Sequence, residues 1–178
     1  MAVTLPIPSG TYGIDTMHTQ IGFAVTHLGI SVIRGTFDRF SGWLTVGDTL
    51  DDTSLTIEAE MASMSSGNAM RDEHMHGPDF FDVAEHPQML FQSTSIEESG
   101  SGFALTGHLT IRGVTQEVTL DTTYNGSAVF PVDQSTHYGF SAGTTISRSA
   151  FGVSYAIPLV SDDVRLDLEA QFVDPAPV

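Results

Sequence analysis

Val164-Arg165-Leu166-Asp167-Leu168-Glu169-Ala170-Gln171-Phe172 alternates without a break, with Val164, Leu166, Leu168, Ala170 and Phe172 on one side and Arg165, Asp167, Glu169 and Gln171 on the other. Successive side chains of an extended strand point to opposite faces, so this period of two gives one apolar face and one wet face. That is the pattern of an antiparallel sheet with a single buried side. The same alternation recurs upstream. Leu55, Ile57, Ala59 and Met61 oppose Thr56, Glu58 and Glu60, and Phe103, Leu105, Gly107, Leu109 and Ile111 oppose Thr106, His108, Thr110 and Arg112. Val114, Val118 and Leu120 oppose Thr115, Glu117, Thr119 and Asp121. Less regular strands fit residues 11–15, 18–28, 32–46, 89–97 and 137–147. Turns are marked by Gly47-Asp48, by Glu98 to Gly102, by Arg112-Gly113 and by Asn125-Gly126. Roughly eight or nine strands at this spacing suit a sandwich or a closed barrel. Eight strands closing on themselves leave an interior wide enough for side chains or one slim ligand.

One segment breaks the alternation. From Asn68 to Val83 the chain carries Arg71-Asp72-Glu73-His74-Met75-His76 and then Phe80-Phe81-Asp82, a helix-like, charged and histidine-rich excursion. Asn68 suits an N-cap, and Gly77-Pro78 suits a second helix start, so two short helices are expected over residues 68–83. A helical insertion between strands of a barrel is placed to cover its mouth.

The composition narrows the function classes. The 178 residues fit one domain with a substantial core. There is no cysteine, which excludes disulfides, thiolate metal sites and cysteine nucleophiles. Twenty-two acidic residues face six arginines and no lysine, for a formal charge of −16. Such a surface repels nucleic acid and anionic headgroups, so neither is expected as a partner. No stretch approaches the roughly 18 apolar residues of a membrane-spanning helix, so stable membrane insertion is not expected. Met1-Ala2-Val3-Thr4-Leu5-Pro6 lacks a basic n-region and a long apolar run, and the chain reads as cytoplasmic. Residues 1–10 read as a flexible arm and 174–178 as a tail.

Several side chains carry a functional and a plain structural reading. His27 continues the inward face of Ile21, Phe23 and Val25, either to meet a ligand headgroup or to bond a backbone carbonyl in the core. Arg71 and His74, three apart on one helical turn, share a face. Arg71 either forks onto a phosphate or carboxylate, with His74 adding a donor, or pairs with one of the many acids to lock the helix to the rim. Asp72 reads as a cap or brace. His74 and His76 face different directions on a helix, and no His-Glu-x-x-His spacing occurs, so no native metal site is expected even with His18, His27 and His86 nearby. His108 reads as a solvent-facing strand residue. Met61, Met89, Phe80, Phe81, Phe91, Phe103 and Phe140 serve either a filled core or a lined cavity, since both satisfy the same periodicity. Arg34, Arg112 and Arg148 stand beside glycines or turns and read as braces against carboxylates, or one of them as part of an anionic headgroup site. There is no Gly-x-Ser-x-Gly elbow and no phosphate-binding glycine loop before a lysine.

In order, Ile14-Asp15, His18, Phe23-Ala24-Val25, His27-Leu28-Gly29, Gly35-Thr36-Phe37, Arg71-Asp72-Glu73-His74, Asp79-Phe80-Phe81-Asp82, Pro87, Phe91, Gly107 to Thr115 and Arg148-Ser149-Ala150-Phe151-Gly152 resemble the YceI-like family of lipocalin-like barrels. The similarity runs from about Gly10 to Phe172. It implies an all-β fold: an extended eight-stranded antiparallel barrel, one domain over residues 11–173, with a short helical segment near residues 68–83. The resemblance further implies an elongated apolar cavity for a long-chain isoprenoid or fatty amphiphile, bound as ligand, with no other cofactor. Many members are exported, whereas this sequence shows no export signal. The resemblance favours the lined cavity, and the expected ligand-binding set is His27, Arg71, His74, Phe23, Val25, Met61, Phe80, Phe81, Phe91 and Phe140. No catalytic residue is expected, and carriage or sequestration of the lipid is the leading function. The alternatives are a hydrolase or isomerase acting on an amphiphile at a histidine-lined mouth, and a ligand-free, stress-related structural barrel. The resemblance is also compatible with a homodimer, which would use a sheet face or the helical rim.

Overall fold

A computed structural model describes residues 4–174. Its strands are β1 (Gly10–Ile14), β2 (Gln20–His27), β3 (Ser31–Phe37), β4 (Phe40–Val46), β5 (Ser54–Glu60), β6 (Met64–Ser65), β7 (Gln88–Ser99), β8 (Gly102–Ile111), β9 (Val114–Val129), β10 (Thr136–Ser147) and β11 (Val160–Asp174). One helix, α1 (Ala69–His76), lies between β6 and β7. Strands β1, β4, β5, β7, β8, β9, β10 and β11 pair in that order, and β11 returns to β1 to close an eight-stranded antiparallel barrel. The alternation read from residues 164–172 is what closes it: Leu166, Ala170 and Phe172 are buried inside while Arg165, Asp167 and Glu169 are exposed.

β11 has three neighbours. It pairs with β10 from Asp163 to Asp174, with β2 from Val160 to Glu169, and with β1 only at Phe172 and Val173. The ribbon β2–β3–β6 therefore extends one end of the barrel beyond the ring. That end also carries the 28–30 turn, the 112–113 turn, the 152–159 loop and α1, and it forms the mouth. Arg112 and Gly113 make a tight hairpin with positive φ at both residues, 51° and 72°, the geometry that matches strand twist.

Several local expectations are corrected. The 32–46 strand is two strands, broken at Asp38-Arg39, where both backbone N–H groups turn to the Ser63 hydroxyl. Asn125-Gly126 is no turn. It lies inside β9, where the register against β10 shifts, and Gly126 takes up the irregularity at φ 119°. The β9–β10 connection is residues 130–135. The second helix after Gly77-Pro78 is absent, because the chain folds back on α1: Phe81 N–H reaches Met75 O at 3.1 Å and Val83 N–H reaches His76 O at 2.9 Å. The arm expected over residues 1–10 is overturned from Leu5 onward. Leu5 and Ile7 are buried in the core, Tyr12 Oη donates to Pro8 O at 2.7 Å, and Gly10 opens β1. Two apolar side chains in alternation gain more from burial than the segment gains from freedom. Residues 1–3 of that arm and 175–178 of the tail lie outside the described residues, and Asp174 ends β11. Among the described residues no helix is long and apolar enough to cross a membrane.

Candidate functional site

Two cavities follow one another inside the barrel. The larger, about 510 Å³, lies under the mouth between β2, β3, α1 and the 148–160 segment. Its volume falls within the roughly 300–1,000 Å³ of small-molecule sites. The smaller, about 110 Å³, lies deeper among Leu44, Leu55, Ile96, Leu105, Val118 and Leu168, with Leu5 from the N-terminal segment in its wall. Met89 and Leu166 border both, so the two spaces are stacked end to end.

All ten expected ligand-binding residues border one of these spaces. Phe23, Val25, His27, Met61, Arg71, His74, Phe80 and Phe81 line the larger. Phe91 and Phe140 line the smaller, where Phe140 packs edge-on against Phe172 at 6.0 Å between ring centres. The polar groups gather at the mouth. His27 closes β2 half-buried, at the pairing with Ser31 and Val160.

Arg71 sits in the first turn of α1, which Asn68 caps by accepting from Arg71 N–H at 3.0 Å. Its guanidinium is not paired with an acid. Nε donates to Ser66 Oγ at 2.7 Å and Nη2 to Ser66 O at 2.8 Å. Two of five donors are used, which leaves three N–H bonds on a permanent cation at the cavity wall. The acid-paired lock is therefore corrected to a lock on serine, because the neighbouring Asp72 is itself engaged. Asp72 accepts from Ser66 N–H at 2.9 Å, Ser66 Oγ at 2.5 Å and Ser65 Oγ at 3.4 Å. Burial raises the Asp72 carboxyl, but these bonds and Arg71 outweigh it and hold it below the ordinary range.

His74 faces Asp79, 3.0 Å from Nε2 to Oδ2, and stacks edge-on against Phe80 and Tyr155 at 5.1 and 5.3 Å. His76 turns the other way, to Met64 O at 3.3 Å. The imidazole, two aromatic rings and the nearby arginine make an amphipathic rim, apolar inward and polar at the edge.

The arginines beside glycines brace carbonyls rather than carboxylates. Arg148 is 5 % exposed, and it donates to Ser161 O, Val153 O and Val160 O at 2.9, 3.0 and 2.9 Å. It fixes the loop that forms one side of the mouth, and its Cζ lies 5.9 Å from the Phe80 ring centre. Burial lowers its pKa, partly offset by Asp162. Arg112 ties the 112–113 turn to Gly152 O at 2.9 Å and Pro78 O at 3.0 Å. Arg34 lies exposed inside β3, away from any turn. Tyr155, Met64, Met75 and Phe151 also line the large cavity and were not foreseen. Met64 lies in the two-residue β6, Met75 in α1, Phe151 in the 3-10 turn 148–151 and Tyr155 in the 152–159 loop, pieces too short to show a period, so only the folding of the mouth brings them together. His108 is exposed on β8, and neither it, His18 nor His86 lines either cavity.

A family model described as the YceI-like domain matches residues 12–172. A UPF0312 protein of Pseudomonas putida (strain W619) is 36% identical over 146 residues, 80% of this chain and 76% of that one. The crystal structure of Burkholderia cenocepacia BcnA superposes with a TM-score of 0.79 at 24% identity, covering 89% of this chain and 98% of that one. A polyisoprenoid-binding domain from Saccharophagus degradans, implicated in plant cell wall breakdown, superposes with a TM-score of 0.67 at 14% identity, covering 93% and 98%. The two structural likenesses speak for the fold.

Proposed function

The chain belongs to the YceI-like family, and on that premise we propose that it binds a long-chain isoprenoid or related amphiphile without chemical conversion, for carriage or sequestration. The tail lies along the two stacked cavities and the polar head meets Arg71 and His74 at the rim. The observation that carries this reading is the pairing of a largely apolar, end-to-end interior with one arginine at its mouth that makes no direct ion pair with a carboxylate. The polyisoprenoid-binding description of the S. degradans domain of the same fold supports it.

Burial of a chain is worth roughly 0.8 kcal/mol per carbon relative to water. A long isoprenoid would pass the practical ceiling of about 20 kcal/mol if water were its reference. Its real alternative is a membrane, where that gain nearly cancels. Selectivity then rests on cavity length and shape and on a few head contacts. Native mass spectrometry of freshly purified protein, followed by organic extraction, tests the reading. A stoichiometric adduct of isoprenoid mass is expected. Protein that emerges empty and takes up neither added polyprenols nor quinones overturns it.

A further inference from the structure

A second cluster of polar groups lies outside both cavities, where the barrel closes. β1 meets β11 over only two residue pairs, Gly13 with Val173 and Ile14 with Phe172. Directly beyond them Asp15 N–H bonds Gln171 O at 2.8 Å, and His137 of β10 pairs with Val173. Asp15, His18 and His137 converge here, each offering one ligand atom within 4.8 Å of the others. His18 Nδ1 is 2.6 Å and His137 Nδ1 3.4 Å from the same Asp15 Oδ2.

The hydrogen bonds around His137 fix which of its ring nitrogens carries the proton. Ser135 Oγ donates to Asp133 Oδ1 at 2.6 Å, and an ionised carboxylate can only accept, so the hydroxyl proton is committed. The same Oγ lies 3.0 Å from His137 Nε2 and must accept from it. Neutral His137 therefore carries its proton on Nε2 and presents a lone pair at Nδ1. That lone pair faces Asp15 Oδ2 and, at 2.9 Å, Gln171 Oε1. The Nδ1 lone pair thus meets two oxygen acceptors, an arrangement that takes a proton or a metal cation between them.

We propose that Asp15, His18 and His137 bind a divalent cation of the zinc class at the β1–β11 seam. Two imidazole nitrogens and one carboxylate form a set that suits zinc, whereas magnesium and calcium ask for six or more oxygens. Tetrahedral ligands at zinc bond lengths stand roughly 3.3 Å apart, close to the 3.4 Å between His137 Nδ1 and Asp15 Oδ2, while His18 Nδ1, hydrogen-bonded to Asp15 Oδ2 at 2.6 Å, would have to draw back on its exposed link to admit the ion. The Asp133–Ser135–His137 relay is the outer arrangement that metal-binding histidines use to fix their tautomer. The Phe130 ring, 6.0 and 5.3 Å from the two imidazoles, covers one side. Gln171 Oε1 or water completes the coordination. Entry of the ion displaces the proton that His18 Nδ1 shares with Asp15. The ion would pin β1, the β1–β2 link, β10 and β11 together at the weakest pairing of the ring.

The test is calorimetric titration of the full chain, stripped with chelator, against ZnCl2, MgCl2 and CaCl2. One equivalent of zinc is expected, with no heat from the other two ions. H137A and D15N should each weaken zinc at least tenfold, about 1.4 kcal/mol, while H108A, altered at an exposed strand position, keeps the wild-type affinity. H18A, at an exposed link, repeats the test where folding is not at stake, and circular dichroism checks every variant. Nitrogen NMR of the histidine rings should move His137 Nδ1 on zinc addition. No zinc heat in the wild type, or an affinity that survives both H137A and H18A, overturns the proposal. In that case the Gln171 amide presents its NH2 to His137 and the cluster is a hydrogen-bonded brace.

Discussion

The ring of Phe23 occupies the space that a Cβ at Gly35, its direct partner on β3, would need. Phe23 Cε1 stands 2.6 Å from that position and so does Ser65 O. Phe91 lies in the same way over Gly107, its diagonal neighbour on β8, with Phe91 Cε2 2.7 Å from a Cβ at 107. In both cases glycine lets an aromatic ring lie flat against the wall, which keeps the ring out of the lumen. Gly35→Ala should push Phe23 inward, cost about 1–3 kcal/mol of stability through overpacking and narrow the larger cavity. Urea denaturation and ligand uptake measure the two effects, and an unchanged midpoint would count against the packing argument.

Arg71→Ala should change headgroup preference far more than tail affinity. Hydrogen bonds to a charged group contribute about 1.5–3 kcal/mol, so ligands with an anionic or strongly polar head should weaken roughly ten- to hundredfold. A headless chain of equal length should change little. Competition between the two ligands on the variant gives the ratio, and an equal loss for both would remove Arg71 from the head site.

Ala142 is half-buried on β10 and lines the smaller cavity. Ala142→Phe should fill much of that space and shorten the longest chain bound, leaving affinity for short chains nearly unaltered. A chain-length series on wild type and variant reads this directly; a parallel drop at all lengths would place the tail elsewhere.

Arg148→Lys should destabilise the fold by about 3 kcal/mol or more, because one ammonium cannot serve three separate carbonyls and the unserved ones remain buried. For a domain of this size that corresponds to a melting temperature lower by roughly 6–12 °C. Thermal unfolding followed by circular dichroism tests it, and a shift within a degree or two would show the loop to be held by other contacts.

Acid should act through depressed carboxyls. Asp162 is held below the ordinary carboxylate range by Ser147, then by Ser149 N–H, against some burial, and Asp72 by its serine bonds against burial. A folded-state pKa below the unfolded value gives stability that is fully present above the unfolded pKa, near 3.8, and is lost as pH falls through the folded one. Unfolding free energy of the wild type relative to Asp162→Asn should stay constant above about pH 5 and shrink below pH 4. A constant difference down to pH 3 would contradict the assignment.

The barrel was legible because its inward residues keep period two for long runs, as in residues 103–111 and 164–172. Phe23, Val25 and His27 could be placed on one face for the same reason. What stayed hidden depends on closure. Asn125-Gly126 has the composition of a turn, and only the pairing with β10 makes it a bulge. Arg148 looks like any arginine beside a turn until the 153–161 segment folds over it. Tyr155 reaches His74 across the mouth, and His137 reaches Asp15 across the seam, between segments remote in sequence. No local period signals such meetings.

The three neighbours of β11 set an order in time. During synthesis β1 and β2 emerge first, and they and β10 each lack a partner along one edge until residues 160–174 appear. The remaining ring strands can be made and paired while the cylinder is still an open, curled sheet with its apolar face accessible. Closure waits for the last strand, so the nascent barrel has bare edges that can pair with other chains.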